Sequence, residues 1–160
     1  MRTNQIDSFP TQFVSSAIIT HLDLSGNQIS SIPSQISEYT SLESLYLSFN
    51  AIQSVNENFA FLPNLVFADL SYNQINSNSS LSSLDNKKLK KLFLSGNRIS
   101  FVPDNFLSNS INLRTLDLSD NYFKNIENLQ QFCNFQGTFF PQFPKQQFDW
   151  LHSSMAVLSR

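Results

Sequence analysis

Cysteine is nearly absent from this chain of 160 residues. Cys133 stands alone, and a lone thiol cannot build a disulfide framework. Glycine is almost as scarce: with only Gly26, Gly96 and Gly137, the chain holds no glycine-rich loop that would cradle a phosphate. Histidine is limited to His21 and His152, neither of which falls in a nucleophile-elbow, Cys-His or zinc-ligand spacing. Cys133 with His152 is the one pair a nucleophilic mechanism would have to use, and an incidental thiol is the simpler reading. Catalysis, a cofactor and a metal site are therefore not expected. Charge is sparse as well. At 14 % charged residues and a net charge of -2 there is no basic stripe of the kind nucleic acid requires, so no nucleic acid partner is expected. No stretch approaches the roughly 18 consecutive apolar residues of a membrane span. Residues Met1 to Ser8 show neither the apolar run nor the small-residue cleavage site of a signal peptide, and an intracellular, reduced, cytoplasmic location is expected.

What the chain does contain is a period. In Leu89-Lys90-Lys91-Leu92-Phe93-Leu94-Ser95-Gly96-Asn97-Arg98-Ile99 the apolar positions alternate at Leu92 and Leu94, then stop at an asparagine followed by one more aliphatic. The layout recurs at Ile19 to Ile29, Leu42 to Ile52, Leu65 to Ile75 and Leu113 to Phe123, with separations of 23, 23, 24 and 24 between Asn27, Asn50, Asn73, Asn97 and Asn121. A fixed period with this L-x-x-L-x-L-x-x-N-x-L pattern resembles the leucine-rich repeat family, in its typical or SDS22-like form with intracellular type. The resemblance covers roughly residues 1–126. It implies an α/β right-handed solenoid, or horseshoe, with a curved parallel β-sheet on the concave face and loop, 3₁₀ or short helical returns on the convex face. It also implies a binding module. The disulfide-bonded end caps common in extracellular members have no counterpart here.

A turn of this length cannot bury its own apolar face, so turns stack and their leucines form one core. Leu22 and Leu24 are expected beneath Leu45 and Leu47, followed by Ala68 and Leu70, Leu92 and Leu94, then Leu116 and Leu118. Each asparagine falls where the chain leaves the strand, its amide supplying donors and an acceptor to backbone groups the turn leaves unpaired. That predicts a structural ladder. The expected organisation is a partial repeat or rudimentary cap at 1–18, five repeats at 19–41, 42–64, 65–88, 89–112 and 113–126, and a degenerate aromatic-rich cap or tail at 127–160. Asn4 to Phe13 aligns with Asn27 to Ile36 at an offset of 23, so the chain starts within a repeat: either a cap, or part of a longer solenoid.

Between strands the chain returns over the convex side. Pro33, Pro63 and Pro103 belong in those returns, since proline has no ladder donor, and Ile36, Phe59, Phe106 and Phe132 tie them to the core. The third return, Asn76 to Leu84, is the most polar and is expected to be the most irregular. Its Asn78-Ser79-Ser80 matches a glycosylation acceptor, a match expected by chance in so Asn- and Ser-rich a chain. In the tail, Phe132, Phe135, Phe139, Phe140, Phe143, Phe148 and Trp150 are consistent with a cap over the last repeat, an exposed docking patch, or a piece of a neighbouring domain.

Alternation sends the residues between the core leucines to the concave face. One column reads Asp23, Tyr46, Asp69, Phe93, Asp117; the preceding one reads His21, Ser44, Phe67, Lys91, Thr115; the following one is serine throughout. Exposed aromatics are common interface anchors, so His21, Asp23, Tyr46, Phe67, Asp69, Lys91, Phe93 and Asp117 are the candidate partner-binding residues. The aspartates and serines also suit a family consensus, which leaves Tyr46, Phe67, Phe93, Lys91 and His21 as the more specific candidates. Acidic groups among aromatics favour a partner with basic and apolar groups. The expected function is a non-enzymatic protein-protein interaction module, an adaptor, scaffold or regulatory subunit in intracellular signalling that holds a protein or peptide. The alternative is the regulatory part of a larger phosphatase, kinase or cyclase.

Overall fold

The Leu-x-Leu segment at the centre of each turn alternates inward and outward side chains, which is the geometry of a strand. A computed structural model describes residues 4–11, 18–77 and 79–123. It contains strands β1 (His21–Asp23), β2 (Ser31–Ile32), β3 (Ser44–Tyr46), β4 (Ser54–Val55), β5 (Phe67–Asp69), β6 (Lys91–Phe93) and β7 (Thr115–Asp117). Five form one parallel sheet in the order β1-β3-β5-β6-β7. The register sets Leu22 beside Leu45, then Ala68, Leu92 and Leu116. This is the stacking that the period predicts. The three inner members of the row are fully buried, while Leu22 and Leu116 at its two ends are only partly covered.

Each repeat asparagine joins its own turn to the one before. The Asn97 Nδ2 donates to the carbonyls of Leu94 and Ser95 in its own turn and to Leu70 in the preceding turn. Its Oδ1 accepts the amide N–H of Ile75 at 3.0 Å. Asn50, Asn73 and Asn121 repeat this set, their Oδ1 atoms accepting from Ile29, Ile52 and Ile99. Asn27 donates to Leu24 and Ser25 and accepts from Ile6.

The returns carry 3₁₀ segments at Ser34–Glu38, Glu57–Phe61 and Ser79–Leu84, and no α-helix occurs among the described residues. Ile36, Phe59 and Phe106 are buried as the sequence suggests, and Phe132 lies outside the described residues. The third return also carries a 3₁₀ segment, the longest of the three, with Asn78 before it outside the described residues, and the buried Asn86 side chain that follows donates to the Phe59 and Leu62 carbonyls. The fourth return is built of turns instead, with Leu107 at φ 59. The Asp85 carboxylate holds it in place, accepting from Ser108, from Asn109 twice over by backbone and side chain, and from Ser110. A second small sheet, β2-β4, starts the first two returns.

The segment from Asn4 repeats the geometry of the turn that follows it. Asn4 N–H donates to Gly26, and Gln28 N–H donates to Ile6. Phe9 is buried edge-on against Tyr39 at 5.8 Å between centroids, and the Tyr39 hydroxyl donates to the Pro10 carbonyl. Burial, with the nearby Glu38 charge as the second cause, raises the Tyr39 pKa above its ordinary 10.0. A folded pKa raised above the unfolded one contributes stability that is present below pH 10 and lost as pH climbs through the folded value. The melting-temperature advantage of the wild type over Tyr39→Phe is therefore expected to shrink as the pH rises above 10.0. A constant difference across that range would show that the hydroxyl stays neutral or is not held as described.

Candidate ligand-binding face

Because the sheet residues between the leucines face outward, their side chains line up across turns. Phe67 on β5 lies between Lys91 on β6 and Ser44 on β3, and Asp69 lies between Tyr46 and Phe93. Three rings meet around that point. Tyr46 and Phe67 are 4.8 Å apart between centroids, Phe67 and Phe93 5.5 Å, with interplanar tilts of 37° and 40°. All three rings are half-buried. The structure thus joins Tyr46, Phe67 and Phe93 into one cluster with Lys91 exposed beside it.

The remaining candidates divide. Asp23, Asp69 and Asp117 each accept the backbone N–H of the serine two residues on, Ser25, Ser71 and Ser119, at 2.9 to 3.0 Å. They close strand ends, a local turn that short acidic side chains favour. His21 sits at the first strand, exposed, its Nδ1 2.9 Å from the Thr20 hydroxyl. The serine column is less open than alternation implies: Ser71 and Ser95 are buried, and hydroxyls pair between turns at Ser48–Ser25 and Ser119–Ser95.

Sequence reasoning missed a second aromatic group. Phe49 and Tyr72 are exposed at 60 % and 47 %, and their rings stack at 4.6 Å with only 7° between planes. Both backbones are left-handed, φ 55 and 53, as are Gly26, Gly96 and Asp120 at the equivalent place in other turns. That column, visible as the residue before each repeat asparagine, was the signal. The Tyr72 ring continues over Gly96, where an added Cβ would come within 2.6 Å of it, whereas a Cβ at Gly26 meets nothing within 4 Å. Gly26→Ala is expected to cost about 1 kcal/mol from the left-handed backbone alone. Gly96→Ala should cost about 0.5–1.5 kcal/mol more by pushing Tyr72 off the Phe49 stack. Equal losses in parallel thermal melts would show that the ring does not rest on Gly96.

The whole-chain charge also conceals a local one. Lys87, Lys88, Lys90, Lys91 and Arg114 are all exposed in the fourth turn and its neighbour. Lys91 pairs in register with Thr115, which places Lys90 beside Arg114 at the start of the strands. Cys133, His152 and the tail aromatics lie outside the described residues. No cluster of His, Cys, Asp and Glu suited to a metal ion occurs among the described residues.

Comparison with known proteins gives the class. Residues 19–75 match the family model described as leucine rich repeat, and residues 87–131 match that described as leucine rich repeats in two copies. The chain belongs to the leucine-rich repeat proteins. No curated protein sequence matches it. Among solved structures it is similar to a leucine-rich repeat protein of Leptospira interrogans, at 25 % identity and TM-score 0.73, covering 88 % of this chain and 34 % of that one. It is similar to TLR13 in its complex with ssRNA13, at 30 % identity and TM-score 0.63, covering 74 % of this chain and 16 % of that one. It is also similar to the plant peptide hormone receptor RGFR1 in complex with RGF2, at 31 % identity and TM-score 0.59, covering 72 % and 19 %. The chain spans about a third of the first structure and under a fifth of the other two.

Proposed function

We propose that this chain is a non-enzymatic binding module that takes a protein or peptide on its concave face, as an adaptor, scaffold or regulatory subunit in intracellular signalling. The observation that carries the reading is the Tyr46–Phe67–Phe93 cluster, three half-buried aromatic side chains placed side by side by three neighbouring strands of the sheet. Rings of this kind supply large contact area with few rotamers to immobilise. Five strands at about 4.8 Å spacing make a strip about 24 Å long, the reach of an extended segment of roughly seven residues. Support for the ligand class comes from the similar peptide hormone receptor solved with RGF2. Support for a reduced compartment comes from the single cysteine.

The test is an affinity capture from lysate with identification by mass spectrometry, comparing the chain with a Tyr46→Ala, Phe93→Ala double variant. A protein held by the first and lost from the second supports the concave face. Retention by both moves the interface elsewhere. The single variant Phe93→Ala is expected to lower stability by no more than about 1 kcal/mol, because the ring is half-buried and outside the core, while weakening capture. An unfolded Phe93→Ala would mean that the ring carries the core and not the ligand.

A further inference from the structure

Charge is segregated along the solenoid. Residues 3–86 hold seven carboxylates and no lysine or arginine, whereas six of the chain's ten Lys and Arg residues fall between positions 87 and 114. Five of the six, Lys87, Lys88, Lys90, Lys91 and Arg114, share one exposed corner at the N-terminal ends of β6 and β7. Of the acidic groups around that corner three are held by hydrogen bonds, while Glu43 is exposed two strands away from Lys90 in the same row. Asp85 is taken up by Ser108, Asn109 and Ser110, and Asp69 and Asp117 by the turns at Ser71 and Ser119. None of the five basic side chains is in an ion pair among the described residues.

This corner adjoins the aromatic cluster, because Lys91 is the register partner of Phe67, about 4.8 Å away across one strand spacing. Like charges packed on adjacent turns repel one another, and no carboxylate among the described residues pairs with them, so an acidic group brought by a partner would complement them. Resting on the concave-face reading, we propose that the partner presents an acidic protein segment: an apolar anchor seated on Tyr46, Phe67 and Phe93, flanked by aspartate or glutamate side chains over Lys87, Lys88, Lys90, Lys91 and Arg114. This reverses the basic partner that the concave aspartates suggest in the sequence, since Asp69 and Asp117 flank the ring that takes the apolar anchor while the basic groups lie where the flanks of the segment would run. A continuous phosphate backbone fits less well, because Asp69 and Asp117 flank Phe93 in register. A second copy of the chain fits less well too: its acidic residues are scattered, with Glu38 and Glu57 on the returns and Asp23 and Asp69 on the sheet.

The experiment titrates the full chain, by fluorescence anisotropy, with three labelled peptides that share a central Leu-Trp-Leu and differ only in flanks of Glu, Lys or Gln, and with a single-stranded oligouridylate. The expected result is that the Glu peptide binds at least about tenfold more tightly than the others, weakens with salt, and loses about tenfold with Lys90→Glu plus Arg114→Glu. Tyr46→Ala plus Phe93→Ala should weaken all three peptides alike. Preference for the Lys peptide with the aromatic dependence intact overturns the acidic partner and leaves the concave site standing. A Glu preference that needs the basic residues but ignores the aromatics upholds the basic corner and overturns the concave anchor. Tighter binding of the oligouridylate, equal binding of the three peptides, no binding, or a dimer in sedimentation that Lys90→Glu dissolves each overturns the proposal. Circular dichroism of the variants checks that the exposed substitutions leave the fold unchanged.

Discussion

Phe59→Ala is expected to destabilise the protein by about 3–5 kcal/mol, the loss seen for large aromatic side chains removed from a core that cannot collapse around the cavity. Phe59 is 0 % exposed. It is set by the 3₁₀ segment Glu57–Phe61, whose start is capped by Asn56 accepting the Asn58 N–H at 3.0 Å. Its carbonyl accepts from Leu62 and from the buried Asn86 amide, which fixes the backbone from the next return. The 3₁₀ segments on either side pack against this one, so the void would open at the middle of the convex layer, with neighbours held by their own hydrogen bonds. Phe61, 73 % exposed in the same turn, is the control: Phe61→Ala should stay within about 0.5 kcal/mol. Urea denaturation measures both. A Phe59→Ala midpoint indistinguishable from that of Phe61→Ala would mean that the returns do not close over the core as described.

The second large effect falls on the asparagine row. Asn97→Ala removes a side chain that is only 3 % exposed and leaves the Ile75 N–H without its acceptor, while the Leu70 and Leu94 carbonyls each lose one of two donors and keep Asn73 and Asn121. An unsatisfied buried polar group costs about 1–3 kcal/mol. The loss here sits at the junction of two turns, where stacked arrays hold their coupling. A drop in melting temperature is expected, together with a local sign that a general loosening would not give. The amide hydrogen of Ile75 should exchange faster than those of Ile52 and Ile29, whose acceptors Asn73 and Asn50 are untouched. Asn97→Asp keeps the acceptor and turns the donor into an oxygen facing three carbonyls, so it should be no milder. Unchanged exchange at Ile75 would refute the ladder.

What could be seen in the sequence is what repeats. Leu92 and Leu94 give the strand, Asn97 gives its end, and the constant offset gives the register, even where Ala68 stands in a leucine slot. The unrepeated features were hidden. Asp85 finds Ser108, Asn109 and Ser110 only after 23 to 25 residues of chain have closed a turn, and no local pattern announces such a clamp. The fourth return lacks a 3₁₀ segment although Pro103 and Phe106 sit where the other returns have comparable residues. For the site, alternation identified Tyr46, Phe67 and Phe93 but not their mutual contact, which depends on the diagonal between neighbouring columns. Phe49 and Tyr72 escaped because they lie past the strand, at a left-handed position where glycine is the comfortable residue. The basic corner escaped because a chain-wide sum cancels it against carboxylates elsewhere.

The asparagine ladder reaches in one direction only, each amide holding its own turn and the one before it. An inserted whole turn would therefore find every bond it needs: a carbonyl and an N–H ahead of it, and a following asparagine to receive its own. Gene duplication can lengthen such an array without inventing a joint. The aromatic cluster has no such tolerance. A turn added between Tyr46 and Phe67 would part those rings by another strand spacing, about 4.8 Å, and one added between β6 and β7 would part Asp85 from the return it clamps, so the ladder tolerates a longer array where these unrepeated contacts do not.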